Sequence, residues 1–142
     1  MTNSEQFPFI SADTTLGEAG FRPYMPIQLI NQQSTITNSA LLDTGATVNV
    51  LPYPVGVELG YIWERQTAAI NLTGNLAQYE ARVLVLQAVI GQFEPVQLVF
   101  AWTKAVQVPL ILGQVNFFME FDVCFYRSQL YFAVSPKNRA SQ

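Results

Sequence analysis

Of the 142 residues, half are hydrophobic and only 12% are charged, which excludes a disordered chain and gives one domain enough apolar material for a substantial core. Seven Lys and Arg stand against ten Asp and Glu without a basic cluster, which argues against a nucleic-acid surface. There is no His, so Ser-His and Cys-His nucleophile pairs and His-based metal motifs are removed, and three Asp at positions 13, 43 and 122 make a carboxylate metal cage unexpected.

Residues 1–20 are polar and interrupted by Pro8, Gly17 and Gly20, which predicts an irregular, loosely held arm ahead of a single domain over residues 21–135. Met1 to Phe9 lacks a basic region followed by an apolar one, and the single Cys124 permits no intramolecular disulfide. Both features suggest a reducing, cytoplasmic setting. Arg22 to Asn31 alternates around two prolines, with Tyr24, Ile27, Leu29 and Ile30 supplying the first apolar strand, and Gln32-Gln33-Ser34 forms a polar turn. Ile36 to Leu42 read as the next strand, Gly45 permits a turn, and Val48 to Leu51 resume extended structure up to Pro52. Asp43, the only charge in this apolar run, therefore sits at the tip of a strand-turn-strand. Two readings fit it: a catalytic carboxylate on a rigid loop, or an Asx-type turn in which the acid bonds its own backbone.

Pro54 to Gly60 is a connector with room for one helical turn. Ala69 to Leu72 and Leu76 to Val89 read as strands joined by turn chemistry at Thr73-Gly74-Asn75; Gly91-Gln92 marks another reversal before Val96 to Trp102. Val108 to Leu112 is a short apolar strand ending at Gly113. A helix follows over Val115 to Phe121, with Val115, Phe118 and Met119 on one face and Phe117 and Phe121 on the other, a pattern that predicts burial almost all round. Asp122 to Tyr126 and Gln129 to Val134 form a closing hairpin through Arg127-Ser128, and residues 136–142 are a polar tail. The chain is thus mainly β with one short helix near its end. No run reaches the roughly 20 apolar residues of a membrane-spanning helix, so no membrane contact is expected.

Three segments occur together in order: Leu-Leu-Asp43-Thr44-Gly45-Ala46-Thr47 with Val50-Leu51-Pro52, the turn around Gly74, and Leu110-Ile111-Leu112-Gly113 leading into Phe117-Phe118 and Phe121-Asp122-Val123. In these, over roughly residues 22–134, the chain resembles the retropepsin-type aspartic proteases, as a single-lobed bacterial relative of the retroviral enzymes. The resemblance implies a small closed β-barrel with a flap hairpin, and an aspartic endopeptidase without metal or cofactor. It implies that Asp43 is catalytic, that a homodimer supplies the second Asp43, and that the substrate is an extended peptide. Thr44, Gly45 and Ala46 would support the active-site loop, Thr44 by bonding its counterpart in the other chain. Leu72, Thr73, Gly74 and Asn75 would form the flap, and Ile111, Leu112 and Gly113 the structural second motif packed across the loop. Ile70, Leu72, Leu76, Val48, Val50 and Ile111 are candidate subsite walls, and Asp122 a cap or turn residue. Viral members often carry an acid and an Arg where this chain has Thr47 and Gln114, and many relatives have an acid near Asn116. A dimerisation or peptide-binding module on the same fold is the alternative reading.

Overall fold

Pairing orders most of the segment expected to be an irregular arm. In the computed structural model, which describes residues 3–137, strand β1 (Glu5–Pro8) lies antiparallel against the last strand of the chain, and β2 (Ile10–Ser11) pairs with β3 (Phe21–Arg22). A 3-10 segment, Thr14–Gly20, bridges β2 and β3, and Asp13 caps it: its Oδ1 accepts from the Thr15 N–H at 3.0 Å and from the Thr15 hydroxyl at 2.6 Å. These two bonds, chiefly the one from the hydroxyl, hold the Asp13 carboxyl below its usual range. The segment predicted as irregular is thus paired at residues 5–8 and 10–11. Polar side chains on a strand whose partner is distant in sequence leave no local pattern to read.

Six further strands close a barrel. They are β4 (Tyr24–Asn31), β5 (Ser34–Leu42), β6 (Asn49–Leu51), β7 (Ala81–Val89), β8 (Val96–Thr103) and β9 (Leu110–Leu112), arranged β4-β5-β9-β6-β8-β7. Along β4 the period of two turns Met25, Ile27 and Leu29 into the core, whereas Tyr24 and Ile30 are half-buried on the other face. Opposite them β7 and β8 contribute Leu84, Leu86, Leu98 and Phe100, all but sealed from solvent. Each such side chain contributes about 1.5–3 kcal/mol by leaving water. Helix α1 (Tyr53–Glu58) is the expected single-turn connector. It packs on Trp102, whose indole N–H donates to the Tyr53 carbonyl at 3.1 Å and fills the space that a side chain at Gly56 would need.

The described residues end with helix α2 (Phe117–Glu120), β10 (Phe121–Tyr126) and β11 (Tyr131–Pro136), and the second sheet runs β1-β11-β10. The predicted helix over Val115 to Phe121 is shortened because Val115 is drawn into a bridge with Val48. Nor is it buried all round: Phe117 and Phe121 stack in the core at 5.2 Å between ring centroids, but Val115 and Met119 are exposed. Asp122 is neither cap nor turn; it is an exposed residue of β10 opposite Ser135. Of the polar tail, Pro136 closes β11, while residues 138–142, like Met1 and Thr2, lie outside the described residues.

Candidate active site

The residues at the tip of the β5-turn-β6 unit are held from below by β9. This short strand lies between β5 and β6, parallel to the first through Leu42↔Leu112 and antiparallel to the second through Val50↔Ile111. Four hydrogen bonds then tie the turn to the chain leaving β9. The Asp43 N–H donates to Leu112 O at 3.0 Å, Gln114 N–H to Ala46 O at 2.9 Å, Val115 N–H to Thr47 O at 2.8 Å, and the Gln114 side-chain amide to Thr44 O at 2.8 Å. Gly113 is required by this closeness, since a Cβ there would lie 2.7 Å from both Ala46 O and Val48 O.

Asp43 Oδ1 accepts from the Gly45 N–H at 2.9 Å, and Ala46 N–H donates to the Asp43 carbonyl at 3.1 Å. The local Asx-type turn is thus present, and the same bond fixes the carboxylate on a half-buried, rigid loop. The two readings of Asp43 are compatible. Thr44 and Gly45 are exposed beside it.

Asn49 is a structural residue that sequence reasoning passed over. It is fully buried; its Oδ1 accepts from Gly113 N–H at 2.8 Å, and its Nδ2 donates to Val99 O at 3.0 Å and to Asn116 Oδ1 at 3.1 Å. Asn116 Oδ1 also accepts from Val99 N–H at 3.0 Å. One amide therefore joins β6, β8, the end of β9 and the entry to α2. The available signal was a polar residue between Val48 and Val50 in a strand otherwise apolar throughout.

A cleft of about 330 Å³ opens on Asp43, walled by Val48, Val50, Leu72, Leu76 and Ile111, and Asp43 is the sole charged residue in its lining. Val50 and Leu72 form a small second core with Ala81 and Ala101, against which Val48, Ile70, Leu76 and Ile111 pack. Five of the six candidate subsite walls thus line one cleft with Asp43, Gly45 and Ala46, whereas Ile70 lines a neighbouring one. The predicted strands flanking Gly74 meet only in a short antiparallel stem, the second of them beginning at Ala81 in β7. Ala69 pairs with Arg82, with Ile70 N–H donating to Ala81 O and Val83 N–H to Ala68 O, but the chain beyond makes its own bonds around a 3-10 turn at Gly74–Leu76, with Ala77 N–H to Gly74 O and Tyr79 N–H to Leu76 O. Leu72, turned inward and buried, draws the chain off a hairpin ladder; Thr73 and Asn75 line the cleft rim. Gly74 does adopt a positive φ of 64°.

A larger cleft, about 590 Å³, shares only Asn71 with this one and carries none of the residues of the two motifs. Asp122 lines neither of the two clefts that Asp43 borders. Among the described residues no group of three or more His, Cys, Asp or Glu is placed to hold a metal ion, and no helix is long and apolar enough to cross a membrane.

No protein-family model matches the chain, and no curated protein matches it. Solved structures do. A retropepsin-like aspartic protease from Rickettsia conorii superposes with a TM-score of 0.64 at 15% identity, covering 96% of this chain and 94% of that one. The EIAV protease in complex with the inhibitor HBY-793 is similar at a TM-score of 0.48 and 20% identity, over 66% of this chain and 82% of that one. The mainly β architecture with its six-stranded closed barrel is a retropepsin-like fold.

Proposed function

We propose that this chain is an aspartic endopeptidase whose active site is completed by a second copy. The observation that carries the reading is Asp43 itself: a carboxylate fixed by the Gly45 N–H at the mouth of an apolar cleft that holds no other charge. A cleft of that lining suits the apolar side chains of an extended peptide, and the 70–80 loop at its rim is suited to closing over one and excluding water.

Hydrolysis by carboxylates needs two of them sharing one proton, because two like charges in contact cannot both ionise cheaply. One takes a proton from the attacking water while the other gives its proton to the peptide carbonyl oxygen; the tetrahedral intermediate then collapses with proton return to the leaving amine. This chain offers one such acid, so a two-fold axis near Asp43 and exposed Thr44 supplies the other. The hydrogen bonds from Gln114 and Asn49 keep the loop from shifting as charge moves. No metal is needed for any of these steps.

The test is digestion of an unfolded protein substrate by the purified chain from acidic to neutral pH. Cleavage that is blocked by a statine-type transition-state mimic and abolished by Asp43→Asn is the expected result. Cleavage abolished by a chelator, or undiminished in Asp43→Asn, overturns the proposal; binding of an extended peptide without any cleavage favours the binding-module reading.

A further inference from the structure

We infer that Arg82 is a positioning residue for the reaction: its guanidinium staples the two limbs of the 70–80 loop together at their base and so fixes where the loop stands over Asp43. The inference deepens the endopeptidase reading and rests on it.

The backbone of the loop is anchored at its base. Ala69 bridges to Arg82, Ile70 N–H donates to Ala81 O at 3.1 Å, Val83 N–H to Ala68 O at 2.8 Å, and Lys104 N–H, just past β8, to Glu80 O at 2.9 Å. Beyond that stem the backbone bonds are local turns, Ala77 N–H to Gly74 O and Tyr79 N–H to Leu76 O. A segment built this way moves as one piece about its stem, so whatever fixes the stem fixes the tip. That piece carries Leu72 and Leu76, which wall the cleft of Asp43, and Thr73 and Asn75 at its rim.

Arg82 holds the stem from the side. It belongs to the outgoing limb, at the start of β7, yet its Nη1 donates to the Trp63 and Gln66 carbonyls of the incoming limb at 2.7 and 3.0 Å. Its Cζ stands 4.5 Å from the centroid of the Trp63 ring, which is itself buried and meets Trp102 edge-on at 5.1 Å. The staple thus runs from the loop through Trp63 into the main core. A guanidinium suits this place because a flat cation lies over a ring and still directs donors to carbonyls, whereas a lysine ammonium ends a bond short of Nη1 and has no plane. The ion pair with Glu80 does not account for the residue: at 3.9 Å, with the Glu80 side chain 74% exposed, it contributes little. Nor does Arg82 fill the core. It lines the open cleft of about 590 Å³, so water can reach both carbonyls once the guanidinium is gone. The fold should therefore outlast its loss, and the position of the loop should not.

The test compares the wild type with Arg82→Lys and Arg82→Met, as full chains, on a fluorogenic peptide with apolar residues at the cut. A variant that is merely less stable loses folded enzyme, which lowers the apparent kcat at unchanged KM. A displaced loop instead loosens the hold on the peptide while Asp43 is unaltered. KM is expected to rise about tenfold in Arg82→Met and by less in Arg82→Lys, with kcat changing less than KM. Amide exchange reads the staple without any substrate: Ile70 and Val83 should exchange about tenfold faster in Arg82→Met, and the middle of β7 around Leu86 as in the wild type. Unchanged exchange at Ile70 and Val83 overturns the staple, and faster exchange with KM unchanged overturns its role in positioning. A wild type that cleaves nothing is a failure of the endopeptidase reading, and the inference falls with it; the exchange result keeps that failure distinct from the absence of the staple.

Discussion

Replacing Asn49 by Leu tests how the active-site loop is held, because the change keeps the volume and removes every hydrogen bond that the side chain makes. The buried Gly113 N–H loses its acceptor, a cost of about 1–3 kcal/mol, and each of the two bonds from Nδ2 accounts for about 0.5–1.5 kcal/mol more. The expected destabilisation is about 4 kcal/mol, a large part of the roughly 5–15 kcal/mol that keeps a domain folded. Urea unfolding should show a lower midpoint at unchanged slope, since the surface exposed on unfolding is the same. Asn49→Asp separates the acceptor from the donors. It keeps an oxygen for Gly113 but sets an anion against Val99 O and Asn116 Oδ1, so its deficit should shrink on acidification as the acid becomes a donor. A loss below about 1 kcal/mol for Asn49→Leu would show that water or repacking replaces the buried amide and would refute this account of the loop.

Three further outcomes are expected. A side chain at Gly74 meets nothing within 4 Å, so Gly74→Val acts through its positive φ alone, at about 1–2 kcal/mol; kcat/KM should fall while the thermal midpoint moves only a few degrees, and unchanged turnover would place loop closure elsewhere. Gln114→Leu removes the bond to Thr44 O at an exposed position, so stability should change by no more than about 1 kcal/mol while kcat falls several-fold; equal losses in both would mean a merely structural bond. Because the Asp13 pKa is lowered in the fold, its capping bond contributes above the unfolded-state value and is lost as pH falls through the lowered one. Slow Thr15 amide exchange should therefore persist through mildly acidic pH and fail only below the usual carboxylate range; failure within that range would contradict the assignment.

What the sequence disclosed is what local chemistry dictates. Asp43 stood out as a charge in an apolar run, Gly113 as the end of a short apolar strand, and the alternation of Arg22 to Asn31 marked the strand β4. The closing hairpin was legible from its turn at Arg127-Ser128. Long-range competition hid the rest. β1 pairs with a strand at the far end of the chain, Val115 left the helical pattern for a bridge with Val48, and Leu72 gave up a hairpin ladder for burial beside Val50. Asn49 was masked by apolar neighbours on both sides, and its role emerges only when β8 and the entry to α2 converge on it.

The claim that one site takes an Asp43 from each of two chains is tested most directly by mixing. Asp43→Asn should fold and pair as the wild type does yet inactivate any site it enters. After full exchange of equal amounts, random pairing leaves about one quarter of dimers with two native chains. The activity should fall to about half of that given by the same wild-type protein alone, because twice as many dimers are present and only a quarter of them are intact. Wild-type activity unchanged by the variant, together with specific activity unaffected by dilution, would show a complete site within one chain and contradict the account.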